Sequence, residues 1–129
     1  MGMETTVIFE ERPIPSWIAC RTFLQSRGFP VQVRMIDGEL AFPDETPPEI
    51  WRELRVGTPH GMVTLRRDHN RIAFVTWGNA DAALMQAWHA LIWAVAEEAG
   101  GRVETAQGLQ SAAEFRRSVE LPADLRGET

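Results

Sequence analysis

The sequence predicts one α+β domain with a largely antiparallel sheet of five or six strands and helices packed mainly on one face. Three observations lead to this prediction: a length of 129 residues, two β-hairpin patterns, and one long helical pattern that is apolar nearly all round. A chain of this length is one domain by size, and its 44% hydrophobic and 24% charged residues are typical of globular proteins. We expect the domain to span 1–121 and 122–129 to be a loose tail, with element order β-α-β-β-α-β-β-α-β-α.

The first two predicted elements are a strand and a helix. A β-branched and aromatic run over 5–10 predicts the strand, which the prolines at 13 and 15 bring to an end. Ser16 is a typical N-cap for a helix over 17–27, and Gly28 supplies the left-handed residue that commonly follows a helix.

Residues 31–42 form the clearest hairpin pattern in the sequence. Asp37-Gly38 is a favoured two-residue type I′ turn, and it lies between two apolar runs. The register of such a turn pairs Met35 with Leu40. We therefore expect one buried face that carries Val33, Met35, Leu40 and Phe42.

The middle of the chain predicts a short helix followed by a second hairpin. Thr46 and Glu49 have capping-box spacing around two prolines, which predicts a helix that ends near Arg55. The β-rich runs 62–67 and 71–77 flank three turn-forming residues, so we expect them to pair as antiparallel strands.

The main helix is predicted over 82–99. Asn79 or Asp81 is its expected N-cap, and Gly100-Gly101 ends it. One broad stripe of large apolar residues should face the sheet, and alanines cover much of the remaining surface. A short strand at 103–105 and a helix from the capping box at Ser111 to about residue 119 complete the prediction.

Three features of the composition exclude classes of chemistry. All 13 basic residues are Arg, so mechanisms that need a lysine ammonium, such as Schiff-base catalysis and P-loop nucleotide binding, are excluded. The chain has no Tyr. The single Cys20 cannot form an intramolecular disulfide, which favours a reducing compartment, and we expect a cytoplasmic protein. A lysine-free basic set is typical of GC-rich coding and favours a bacterial source.

The charge and hydropathy of the chain disfavour nucleic acid and membranes as partners. The formal net charge of −5 disfavours nucleic acid, because nucleic-acid-binding domains are usually basic. The most apolar stretch, 82–96, is too short to span a membrane. The first six residues lack the pattern of a targeting segment, so we expect no export.

No catalytic or metal-binding signature stands out. His60, His69 and His89 fall in a turn, a hairpin tip and a helix, without the spacing of zinc ligands. Cys20 lies on the expected inner stripe of its helix, where a free cysteine packs as a small apolar residue. We therefore expect no metal, no cofactor and no enzymatic activity.

The leading hypothesis is a non-catalytic protein-interaction domain with a regulatory or neutralising role. Its interface, with a partner protein or with a second copy, is expected on one face of the main helix. Trp93 would be the aromatic anchor, because tryptophan is enriched at the energetic centres of interfaces. The face comprises Trp93, His89, Gln86, Glu97, Ala87, Ala90 and Ala94. Cover of this face by the chain itself is the simpler alternative.

Two further hypotheses remain open. One is a small anionic-ligand or enzymatic site where the second hairpin meets the N-terminus of the main helix, since helix N-termini attract anions. Its expected residues are Arg66, Arg67, Asn79 and His60. The other is that the chain is one subunit of a larger complex, which would explain a helix that is apolar on several sides.

Overall fold

The protein folds into one antiparallel sheet covered by helices, as seen in a computed structural model that describes residues 3–10, 13–77 and 80–125. The strands in these segments are β1 Met3–Ile8, β2 Gln32–Ile36, β3 Glu39–Leu40, β4 Glu53–Thr58, β5 Gly61–Asp68, β6 Arg71–Thr76, β7 Arg102–Thr105 and β8 Gly108–Gln110. The helices are α1 Trp17–Gln25, α2 Ala82–Ala99 and α3 Ala112–Ser118. The strand order is β3-β2-β4-β5-β6-β1-β7-β8. The α+β class is confirmed, with eight strands in these segments rather than five or six.

The helices form a layer on one face of the sheet, with α2 in the middle. α2 packs on β1, β5, β6 and β7, while α1 and α3 lie against it on either side. The Trp88 indole Nε1–H donates a buried hydrogen bond of 2.9 Å to the Phe74 carbonyl, which ties α2 to the centre of the sheet. Alternate strand residues such as Val56, Leu65 and Phe74 fill the core beneath this layer.

The first hairpin has the predicted turn but not the predicted buried face. Asp37 and Gly38 both have positive φ, and Met35 pairs with Leu40 as expected. A register shift between Val33 and Met35 in the pairing of β2 with β4 turns these two side chains to opposite faces. Val33 therefore lies in the core, whereas Leu40 is 88% exposed on the other side. The exposed Phe42 lies beyond the end of β3.

The predicted short helix after Thr46 is wrong, because this part of the chain contains a loop and then β4. Leu54 and Val56 are buried and Arg55 between them is exposed, which is the alternation of a strand with one covered face. β4 lies between β2 and β5 and pairs with both. The sheet's pairing thus outweighs a local capping signal.

The other predicted elements are confirmed, and one further strand is present at an edge of the sheet. β5 and β6 form the second hairpin, with His69 at positive φ in a two-residue turn. β8 was not predicted, and it pairs with β7 at one edge of the sheet. The boundaries of α2 match the prediction, with Asp81 as N-cap and Gly100 in the left-handed conformation after its last turn.

The C-terminal part contains the predicted capping box. Ser111 and Glu114 exchange both hydrogen bonds at the start of α3. Residues 123–125 form a short 3-10 helix in which Leu125 is buried, and 126–129 lie outside the described residues. The division between a domain and a loose tail at residue 121 stays a prediction.

The chain passes close to β1 at Gly101, just after the end of α2, and a substitution there tests this close packing. A Cβ atom at this position would lie 2.6 Å from the Phe9 ring and 2.8 Å from Val7 Cγ1, and both side chains are buried. We expect Gly101→Ala to lower the free energy of unfolding by about 1–3 kcal/mol, as overpacking does in other cores. Urea denaturation measures the loss, with Glu98→Ala on the exposed side of the same helix end as the control. Equal stability of the two variants would contradict the packing described.

Candidate functional site

The face of α2 that sequence analysis assigned to a partner is covered by the chain itself. Trp93 is buried, its ring meets the Phe23 ring of α1 edge-on at 5.1 Å, and the Arg116 guanidinium of α3 lies 5.0 Å from its centroid. The strip of small residues, Ala87, Ala90 and Ala94, is fully buried. Trp93 and the three alanines are therefore not accessible to a partner while the chain is folded.

The polar residues expected around Trp93 do not form a common surface with it. Gln86 is partly buried and Glu97 is exposed. The His89 ring lies near Phe115, and its Nδ1–H donates to the Glu120 carbonyl at 2.9 Å. Burial lowers the pKa of His89, which favours the neutral ring with the hydrogen on Nδ1.

The residues of the alternative ligand site do not converge. Arg66 and Arg67 are consecutive on β5 and so project from opposite faces of the sheet; Arg66 forms an ion pair with Glu53 at 3.1 Å. His60 lies in the turn before β5, at the opposite end of that strand, with its ring 6.1 Å from the Phe29 ring. Asn79 lies outside the described residues.

A different feature, an open cleft of about 1060 Å³, lies on the helix side of the sheet. Three segments that are distant in sequence form its walls: the chain that leads into α1, the loop before β4, and the turn between β5 and β6. The lining residues are Pro13, Ile14, Pro15, Ser16, Trp17, Ile18, Thr46, Pro47, Pro48, Glu49, Ile50, Trp51, Arg52, Arg67, Asp68, His69 and Asn70.

Local hydrogen bonds hold the walls of the cleft in place. The Ser16 hydroxyl accepts from the Ala19 N–H at 3.1 Å and so starts α1 at Trp17. On the other side, Asp37 Oδ1 accepts from the backbone N–H groups of Arg52 and Glu53 at 2.7 and 2.8 Å. The same carboxylate thus ties the β2–β3 turn to the end of the loop that lines the cleft.

The cleft combines aromatic walls with the free donors of one guanidinium. Trp17 and Trp51 are both buried, and the Arg67 guanidinium lies 4.9 Å from the centroid of the Trp51 ring. Trp17 Nε1 is buried, with no hydrogen-bond partner in the described segments. The Arg67 side chain likewise has no hydrogen-bond acceptor among those residues, although a guanidinium carries five N–H groups.

Exposed apolar side chains line this cleft and also occur elsewhere in the loop before β4. Ile50 is 81% exposed and Ile18 is 36% exposed, and both line the cleft. Phe42, at the start of the same loop, is 76% exposed. Large apolar side chains grouped beside a polar rim are typical of binding surfaces rather than of solvated loops.

The described residues show little that resembles a catalytic centre. Burial, with a smaller contribution from Glu98, raises the pKa of Cys20 to about 12, so this thiol is a poor nucleophile. Within the described ranges, no three His, Cys, Asp or Glu residues lie close enough together to hold a metal ion.

Among the described residues, no helix is both long enough and apolar enough to cross a lipid bilayer.

Comparison of this chain with models of known families, with curated proteins and with solved structures found no match. The function is therefore inferred from the residues of this chain alone.

Sequence analysis did not find the cleft, although its components carried a signal. Two Pro-rich stretches, at 13–15 and 47–48, are each followed by a tryptophan, Trp17 two residues later and Trp51 three residues later. Proline close to tryptophan in the sequence indicates a rigid apolar surface. What the sequence lacked was the sheet order that brings Trp17 and Trp51 to the same side.

The burial of Trp93 predicts a large loss of stability on truncation. Trp93→Ala should lower the free energy of unfolding by about 3–5 kcal/mol, because a cavity remains between α1, α2 and α3. Trp77→Ala, at a tryptophan that is 55% exposed, is the matched control and should cost about 1 kcal/mol or less. Chemical denaturation measures both. A Trp93→Ala protein as stable as the control would show that Trp93 is a surface residue.

The burial of His89 should make the free energy of unfolding depend on pH. Its pKa is lower in the folded protein than the ordinary 6.5, so the unfolded chain takes up the proton first as the pH falls. The wild type should therefore lose stability relative to His89→Gln as the pH falls through about 6.5, and the difference should level off below the folded pKa. Urea titrations of both proteins between about pH 8 and pH 5 measure it. A difference that is independent of pH would contradict the burial of this ring.

Proposed function

We propose that the protein is a non-catalytic binding protein that takes an apolar segment of a partner protein in the cleft. The observation that carries the proposal is Ile50, which is 81% exposed at a cleft walled by Trp17 and Trp51. Such a protein acts by occupying its partner, which suits the regulatory or neutralising role expected from the sequence. The single free cysteine favours the cytoplasm as the place of action.

The shape of the cleft supports a peptide segment as the occupant. Its volume of about 1060 Å³ is at the upper end of the range for pockets that hold small molecules, and it is open to solvent along one side. Proline and tryptophan surfaces are rigid, so they lose little conformational entropy on binding. Aromatic grooves of this kind bind extended peptide segments in several recognition domains.

The free donors of Arg67 support an occupant with backbone or carboxylate oxygens. The Arg67 guanidinium belongs to a partly buried side chain that lines the cleft, and it has no acceptor among the described residues. A docked segment offers carbonyl oxygens to this guanidinium, whereas Trp17 Nε1 is enclosed by the protein. Arg52 and Arg67 are accompanied by Glu49 and Asp68, so the cleft does not select for a highly charged partner.

The partner is still a protein, but it binds a different surface from the one expected on α2. Most of α2 is buried in the core, whereas the loop over 41–52 and the start of α1 carry exposed apolar side chains. A small anionic ligand has less support, because Arg66, Arg67 and His60 are separated by the sheet or by the length of β5.

The test uses the protein as bait in a lysate of its source organism. Two variants change the cleft, Ile50→Asp and Arg67→Ala, and Leu109→Asp on the far edge strand is the matched control, since Leu109 is 45% exposed and does not line the cleft. We expect one protein to be captured by the wild type and the control but lost by both cleft variants. Its purified form should bind the cleft variants at least about 30-fold more weakly, the usual loss at an interface hot spot. Equal binding by all four baits would rule out the cleft.

A further inference from the structure

We propose that the sheet face turned away from the helices, here called the open face, binds a second copy of the chain. The open face carries those strand residues that alternate with the core residues. On the four central strands, β4, β5, β6 and β1, it includes Arg55, Thr64, Val75 and Glu4, which form one row across the sheet because each is paired with the next. The proposed cleft lies on the helix side and shares Asp68, at the end of β5, with this surface.

The order of charges along this row is self-complementary. Arg55 lies one strand outside β5, and Glu4 lies one strand outside β6, at the same height. A two-fold axis that runs along the strands between β5 and β6 exchanges these positions when two copies meet face to face. Arg55 of each copy then lies opposite Glu4 of the other, which gives two symmetric ion pairs.

β5 and β6, the two strands beside the axis, have complementary residues at both of their ends. At one end Asp68 of β5 is the register partner of Arg71 of β6, so the axis places Asp68 of one copy opposite Arg71 of the other. At the other end, the register continued by two residues places Met62 across from Trp77. Both are exposed, at 41% and 55%, so each would cover the other across the axis.

The match is confined to the centre of the sheet. Thr64 and Val75 are already buried in the single chain, so the contact is made by the longer side chains around them. Further out, Glu104 of one copy would approach the acidic turn at Asp37 of the other, which is unfavourable. The interface therefore comprises the four central strands.

The geometry of twisted sheets permits this contact. A two-fold axis parallel to the strands preserves the direction of the twist, so facing strands stay aligned as in a β-sandwich. Four strands of about six to eight residues cover on the order of 500 Å² per copy. The total of about 1,000 Å² is at the lower limit for a specific interface, so we expect a dimer that dissociates on dilution.

Sedimentation velocity on the full chain tests the proposal over a range of about 1 to 500 µM. The wild type should change from 14.5 kDa to twice that mass with rising concentration. Glu4→Arg and Arg55→Glu should each weaken self-association at least about 10-fold, because each places like charges together at two points of the dimer. The double variant Glu4→Arg/Arg55→Glu should restore it to within about 3-fold, since the pairs are re-formed with reversed polarity.

Two controls keep the result interpretable. Both changed residues are exposed, so thermal melts should show that each variant folds as the wild type does. Glu97→Arg reverses an exposed charge on the helix side and should leave self-association unchanged. A wild type that stays monomeric throughout, a dimer that the single reversals do not weaken, or a double variant that does not recover would each overturn the proposal.

Discussion

Burial of α2 against the middle of the sheet determines where the other elements lie. The helix is apolar on nearly every side, so it is stable only where other parts of the chain cover it. The sheet covers one side, through contacts that include the hydrogen bond from Trp88 to the Phe74 carbonyl. α1 and α3 cover the flanks, where Phe23 and Arg116 both contact Trp93. Ala87, Ala90 and Ala94 are fully buried, and side chains as small as these permit neighbouring elements to pack closely on α2.

This arrangement leaves two kinds of surface for function. In the described segments the three helices lie on one side of the sheet, and on the opposite side these segments present the strands' own side chains. At the end of the helix layer, the loop before β4 and the entry to α1 form the cleft, with Ile50 and Trp17 on its walls. A binding loop beside a rigid core is a common arrangement, because loop residues can vary without disturbing the packing of the core.

The local signals in the sequence predicted much of the fold. The Asp37-Gly38 turn and the limits of α2 follow from backbone preferences that act within a few residues, and both are confirmed. The capping pattern at Thr46 failed because pairing of β4 with two neighbours outweighed it. The bulge after Val33 and the cover of Trp93 depend on partners distant in sequence, which no local pattern contains. The cleft was missed for the same reason.

We propose that a partner protein binds in the cleft and not on α2. Hydrogen–deuterium exchange of the protein, free and saturated with the captured partner, tests it most directly, because it reports where binding slows backbone exchange. The account predicts new protection in the segments 13–18, 46–52 and 67–70 that line the cleft, with exchange across α2 unchanged. New protection confined to α2, or to strands outside these segments, would contradict it.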